Sequence, residues 1–223
     1  MNRLKERFRS GFTLIELLIV ITIIGILMTI VGTAGFSLLT DAEGKKTRSI
    51  FRAWVTQLYQ YKETYKHFPP VLLQHEEGKA VELGEDYEDN HDKFLAALKG
   101  RKWDRDNRAW LPLDNLRNQN KRSREFHSFG EDEFGEGNFL TDAWGNSRIF
   151  IVVDRDGDGL IKLRSETLNQ ITDALRREYD FHIVDEAMDE ISVVHESVGI
   201  YVLNDGGDTQ NVFSWDIEKY LEE

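Results

Sequence analysis

Gly11-Phe12-Thr13-Leu14-Ile15-Glu16-Leu17-Leu18 places a single carboxylate at the mouth of a long apolar run. From Leu17 to Leu39 there are 23 residues without a formal charge. At about 1.5 Å of helical rise per residue, that length is enough to cross a bilayer. An ionised carboxylate costs about 2.5–3.5 kcal/mol at the bilayer centre and less near an interface, so Glu16 calls for a cationic partner. Upstream, Met1 to Ser10 carries Arg3, Lys5, Arg7 and Arg9 against Glu6. By the positive-inside bias this holds the N-terminus in the cytoplasm. A secretory signal is cut behind its apolar segment at a small-residue site, and no A-x-A-like site follows Leu39. A cut between Gly11 and Phe12 instead leaves the apolar segment on the mature chain, which then begins with a free α-amine four residues from Glu16.

With its basic leader, the Gly-Phe-Thr-Leu-Ile-Glu stretch resembles the precursor signature of the type IV pilin and pseudopilin superfamily. The resemblance implies that a prepilin peptidase cuts Gly11/Phe12 on the cytoplasmic side and that Phe12 is then N-methylated. It also implies that Glu16 neutralises the terminal amine of a neighbouring subunit during filament assembly. Pairing makes a buried charge tolerable, and it fixes the register between neighbours. The competing reading is a plain signal anchor with a chance glutamate.

Removal of the leader leaves 24 basic residues against 39 acidic ones. That balance speaks against a nucleic-acid partner, which needs a basic footprint. Cysteine is absent, so no disulfide can staple the exported part. Many pilus-forming members of the superfamily close their C-terminal region with such a bond. About 155 residues follow Phe68, enough for one modest core.

Past the apolar run, Asp41, Glu43, Lys45, Lys46 and Arg48 mark a water boundary. Ile50, Phe51, Trp54, Val55, Leu58, Tyr61 and Tyr65 then recur at steps of three and four, giving one apolar helical face. Pro69-Pro70 ends the pattern. The spacing predicts one helix from about Phe12 to Lys66, its first half in lipid or a filament core and its second half packed on a sheet. Gly25, Gly32 and Gly35 either permit close helix approach or local unwinding, or are ordinary glycines of a membrane helix.

The expected divisions are 1–11 as leader, 12–39 as the membrane or filament-core half of the helix and 40–68 as its amphipathic half. Residues 69–138 are expected to be a loop-rich, partly mobile insertion, and 139–223 a β-rich C-terminal part. Within the insertion, Phe94, Leu95 and Leu98 give a short helical pattern over His91 to Lys99. Lys121-Arg122-Ser123-Arg124 is a dense basic cluster that reads either as a solvated loop or as a site for an acidic partner surface.

Asp142-Ala143-Trp144-Gly145-Asn146 reads as a turn leading into a strand at Arg148 to Val153. It resembles the corresponding turn of the major pseudopilin of type II secretion systems, with Ala143 and Ser147 standing where that family has prolines. Val198 to Gly206 resembles the same family's final strand and calcium loop. The resemblance implies Leu203 (through its carbonyl), Asp205 and Asp208 as calcium ligands, with Ser214 and Asp216 as weaker candidates.

A second acidic loop, Asp154-Arg155-Asp156-Gly157-Asp158-Gly159, sets carboxylates at alternate positions. Hard oxygens at this spacing suit Ca²⁺, so Asp154, Asp156 and Asp158 are candidate ligands. The alternative is a plain acidic hairpin turn. Thr167-Leu168-Asn169-Gln170 resembles a capping box opening a helix along Leu168, Ile171, Leu175 and Tyr179. Ile183-Val184, Ile191 to Val194 and Val198 to Leu203 are expected as strands.

The fold expected is thus α+β: a long N-terminal helix packed on a small antiparallel sheet of about four strands. Catalytic signals are poor. The six histidines form no H-x-x-x-H or H-E-x-x-H pattern, and no G-x-S-x-G elbow occurs.

The resemblance implies a structural pseudopilin, anchored by one span in a bacterial inner membrane with a periplasmic C-terminal part. Its partners are then the prepilin peptidase, copies of itself in a filament, other pseudopilins and an inner-membrane assembly platform. The alternatives are a type IV pilin serving adhesion, motility or uptake, and a membrane-anchored calcium-binding module that never polymerises.

Overall fold

The computed structural model describes residues 13–204, 206 and 209–221, and of residues 29–39 only the backbone. The first helix, α1, runs Leu14–Tyr65, and the chain divides into two compact units, Met1–Leu39 and Thr40–Glu223. In the first unit the large apolar side chains from Leu14 to Met28 are 45 to 87% exposed. Among the described residues no helix is long and apolar enough to cross a membrane. Of the span expected over 12–39, Phe12 and the side chains of 29–39 lie outside the described residues.

In the second unit, the three-and-four spacing of the sequence buries Phe51, Trp54, Leu58 and Tyr61 completely or nearly so. Helix α1 stops one residue before the expected Lys66, which takes a left-handed φ of 68°. Pro70–Leu73 forms a single 3₁₀ turn just beyond it.

There follow β1 (Val81–Glu82), α2 (Glu88–Lys99), the hairpin β2 (Lys102–Asp104) and β3 (Ala109–Leu111), and β4 (Ile149–Val153). The chain continues with β5 (Ile161–Lys162), α3 (Ser165–Glu178), α4 (Phe181–Glu186), α5 (Met188–Ile191) and β6 (Val193–Val194), and ends with β7 (Val198–Val202) and β8 (Val212–Phe213). The main sheet is antiparallel in the order β1-β4-β7-β8, as expected for an α+β fold with about four strands.

Strand register sorts its residues by face. Ile149, Ile151 and Val153 join Val198, Ile200 and Val202 in the cluster with Phe51, Trp54, Leu58 and Tyr61 of α1. Phe150, Val152, Tyr201 and Phe213 face the other way, into a second cluster with Ile171, Leu175, Val184, Ile191 and Trp215. Opposite Val152 the register places Gly199. A Cβ there would lie 2.9 Å from both Val152 and the Trp215 ring.

Several local expectations differ from the structure. The segment 69–138, expected as a loop-rich insertion, contributes to the core: it supplies β1 to the main sheet and Phe94, Leu95 and Leu98 to the cluster under α1. Polar ties, two of them buried, hold it to α1. Trp54 Nε1 donates to Glu133 at 2.7 Å, the Tyr61 hydroxyl donates to the Gln119 carbonyl, and the Tyr65 hydroxyl donates to Asn120 at 2.6 Å. Ile183-Val184 is helical, because Asp180 caps α4 by accepting the His182 N–H at 2.8 Å. Only Val193–Val194 of the 191–194 stretch is a strand, and it pairs with β5 in a separate two-stranded sheet. Helix α3 begins two residues before Thr167, whose hydroxyl instead accepts the Ala80 N–H at 3.1 Å.

Placing valine at Gly199 forces atoms into a packed layer, and overpacking costs about 1–3 kcal/mol despite valine's preference for strands. Thermal melting of Gly199→Val should show the loss, and a melt equal to that of the unsubstituted chain would contradict this packing.

Candidate functional site

The helix-opening residues form a reciprocal pair. Thr13 Oγ1 accepts the Glu16 N–H at 3.3 Å, and Glu16 Oε2 lies 2.8 Å from both the backbone N–H and the hydroxyl of Thr13, which donate to it. This is a capping box, in which two otherwise orphaned helix-end donors are satisfied. Thr13-Leu14-Ile15-Glu16 spells its pattern, a role of Glu16 separate from the pairing with a neighbour's amine that the resemblance implies. The carboxylate sits at the positive end of the helix dipole and keeps further acceptor capacity for a cation. Gly11 and Phe12, the expected cleavage and methylation residues, lie outside the described residues.

The acidic loop between β4 and β5 is built around Asp154, which is 1% exposed. Its Oδ1 accepts the Gly157 N–H at 2.6 Å, and its Oδ2 accepts the Gly159 N–H and the Ser197 hydroxyl, both at 3.0 Å. Gly157 and Gly159 take φ of 83° and 86°, the left-handed turn geometry this wrapping requires. Burial pushes the Asp154 carboxyl up. The two amides, the Ser197 hydroxyl and the Lys62 charge outweigh it, and the net direction is below the usual aspartate range.

Asp156 and Asp158 each accept the amide two residues on, at 3.1 Å from Asp158 and 2.8 Å from Leu160. The residues whose oxygens converge within 4.8 Å are Glu77, Asp154 and Asp156. Asp158 is outside that group. Glu77 was missed by the sequence reading because it lies far from the loop in sequence. The pairing of β1 with β4 (Val81 opposite Ile151) brings the turn before β1 alongside. The Glu77 carboxyl is raised, by burial first and then by the charges of Asp156, Asp154 and Asp158. Three hard oxygens under mutual repulsion are a donor set that fits a divalent cation of the calcium kind.

At the C-terminal loop, Asp205 and Asp208 lie outside the described residues. The Leu203 carbonyl accepts from Asn146 Nδ2 at 3.1 Å. Ser214 does not face the loop as a free ligand: its hydroxyl accepts the Ile200 N–H at 3.0 Å.

The Trp-Gly-Asn turn has the expected form, with Gly145 at φ 87°. Asp142 Oδ1 accepts the N–H groups of Trp144 and Asn146 at 2.9 and 2.8 Å, and its Oδ2 accepts from Asn204 Nδ2 at 3.0 Å. Asn204 Nδ2 also donates to the Gln210 carbonyl at 2.7 Å, and its backbone N–H donates to Asn211 Oδ1 at 2.8 Å.

A family model described as the prokaryotic N-terminal methylation motif matches residues 7–32. No curated protein and no solved structure matches the chain.

Asp154 of the β4–β5 loop and Glu77 beside it impose opposite pH dependences. Asp154 binds its proton more weakly folded than unfolded, so its stabilisation is full above the ordinary aspartate range and is lost as pH falls through its depressed value. Glu77 binds its proton more tightly when folded, so stability declines as pH rises from the ordinary glutamate range through its raised value. In chelator at neutral pH, Glu77→Gln should therefore raise the melting temperature. Asp154→Ala removes the charged acceptor of three hydrogen bonds and should cost about 1.5–3 kcal/mol, read by denaturant unfolding.

Proposed function

We propose that this chain, a type IV pilin-like protein by its N-terminal methylation motif, is a structural subunit that polymerises through its N-terminal helix. Its product is a short periplasmic filament that drives protein export in a type II secretion system. The motif is that of membrane-anchored precursors processed by a prepilin peptidase. The observation that carries the reading is the conjunction of that motif with Glu16 in the first turn of α1 and an apolar helix surface exposed from Leu14 to Met28. A monomer in water leaves such a surface unsatisfied; lipid before assembly and neighbouring helices after it would cover it.

In this reading the peptidase cuts at Gly11/Phe12, Phe12 is methylated, and Glu16 pairs with the amine of the next subunit. The N-terminus starts cytoplasmic and the globular unit lies in the periplasm, anchored by one span. Other pseudopilins and an inner-membrane platform complete the machine. The subunit itself performs no catalysis, and nucleic acid is not a partner.

Three sequence features favour a secretion filament over a surface pilus: the lack of cysteine, the Trp-Gly-Asn turn and the C-terminal acidic loop. In the secretion reading, Ca²⁺ is held by Asp154, Asp156 and Glu77, relieving their repulsion, with Asp158 close by in the same loop. The C-terminal loop, through Leu203, Asp205 and Asp208, is a second calcium position.

Glu16→Ala should abolish filaments while leaving the melt of the globular unit unchanged, and N-terminal sequencing of protein from its host should begin at Phe12. Filaments of normal yield from Glu16→Ala would refute the role given to that carboxylate. Deleting the chain should strand folded exoproteins in the periplasm; loss of surface fibres with export intact would identify a pilus instead.

Calcium makes a separate prediction. Chelation should lower the melting temperature, and Glu77→Gln or Asp156→Asn should remove most of that response. A response that survives both and disappears in Asp205→Ala would move the ion to the C-terminal loop.

A further inference from the structure

Charge is unevenly laid out over the globular unit. Residues 99–128 carry nine lysines and arginines against four acids, in a chain with 28 basic and 40 acidic residues. Residues 178–190 carry six acids and no lysine or arginine. The two segments pack on opposite faces of the main sheet. The first gives Trp103 and Phe126 to the cluster beneath α1, and the second gives Val184 and Ala187 to the cluster on the far face. With the sheet between them, they can meet only across two copies of the chain.

Part of each charge is neutralised locally: Lys99 pairs with Glu125 at 2.8 Å, Arg105 with Glu88 at 2.7 Å, and Arg176 with Asp185 at 2.6 Å. Arg101, Arg117 and Lys121 on one side, and Glu186, Asp189 and Glu190 on the other, are exposed and make no ion pair among the described residues.

The basic side is recessed, and the acidic side bears an exposed aromatic ring. The basic side holds a cleft of about 480 Å³, bordered by Arg101, Pro112, Leu113 and Arg117, with the single carboxylate Asp114 among its lining residues. The acidic side presents Phe181, 53% exposed at the start of α4, where the Asp180 cap fixes the backbone. An aromatic ring entering between two guanidinium groups gains cation–π attraction as well as burial.

We propose that the acidic Phe181 knob of one copy seats in the Arg101–Arg117 cleft of the next. A contact between two different patches is heterologous, and repeating it builds an open chain rather than a closed dimer. This inference rests on the filament reading above and names the contact between globular units that accompanies pairing of the helices.

Because the chain has no cysteine, the contact can be trapped without background. Full-length chains carrying Arg117→Cys and Phe181→Cys, expressed together, should form disulfide-linked heterodimers within filaments, and neither variant alone should cross-link. Arg101→Glu with Arg117→Glu should cut filament yield by about fivefold or more, as should Glu186→Lys with Glu190→Lys, since like charges then face each other. All four changes in one chain should recover most of the yield, a result that misfolding cannot produce. Normal yield in both reversals, with no heterodimer while Glu16→Ala still abolishes filaments, would overturn this contact and leave the filament reading standing. Failure of the unsubstituted chain to form filaments would overturn both.

Discussion

All five residues of β4 and all five of β7 are buried, so both faces of the sheet centre are covered. Antiparallel sheets commonly wet one face, and here neither can be wetted. The amphipathic half of α1 covers one face, and α3 to α5 with the C-terminal aromatics cover the other. Removing either cover exposes strands that are apolar at nearly every position. The globular unit therefore has two cores sharing one sheet, and neither is complete without the strands they have in common.

The polar interior follows from that sandwich. Loops that cross its edges carry donors and acceptors that must be matched, and a few side chains serve several at once. Glu133 accepts from Trp54, from the Gly130 amide at 2.8 Å and stands 3.0 Å from His127 Nε2. His91, fully buried, accepts the Leu140 N–H through Nε2 at 3.0 Å. Its titration is pushed down, chiefly by burial, so the ring serves as a neutral acceptor. Such groups hold loops in place without regular secondary structure, which is how the segment between the first helix and β4 is ordered with only short elements of its own.

Periodic features were legible in the sequence. The spacing from Phe51 to Tyr61 announced a buried helix face, the proline pair its end, and the β-rich run after Asn146 the central strand. The Gly145 turn was equally readable, because few residues accept its φ. What could not be read was pairing at a distance. Trp54 with Glu133, Tyr61 with Gln119, and Glu77 with Asp154 are separated by 58 residues or more and leave no local pattern. Ile183-Val184 looked like a strand because branched apolar residues favour one, but the Asp180 cap and the demands of the second core made it helical. At the N-terminus, Thr13 to Glu16 carries two signals at once: the capping-box spacing is local, and the apolar run that follows gives the charge its second meaning.

The knot of amides around Asp142, Asn146 and Asn204 fastens the turn before β4 to the segment after β7, bridging about sixty residues. In a disulfide-bonded relative of such a fold, a sulfur bridge could do comparable work, and its formation would require an oxidant and a shuffling catalyst. Here the clasp closes by hydrogen bonding alone, so maturation of this region is insensitive to the thiol poise of its surroundings. Reductants leave it intact, and opening it is as reversible as the folding transition itself.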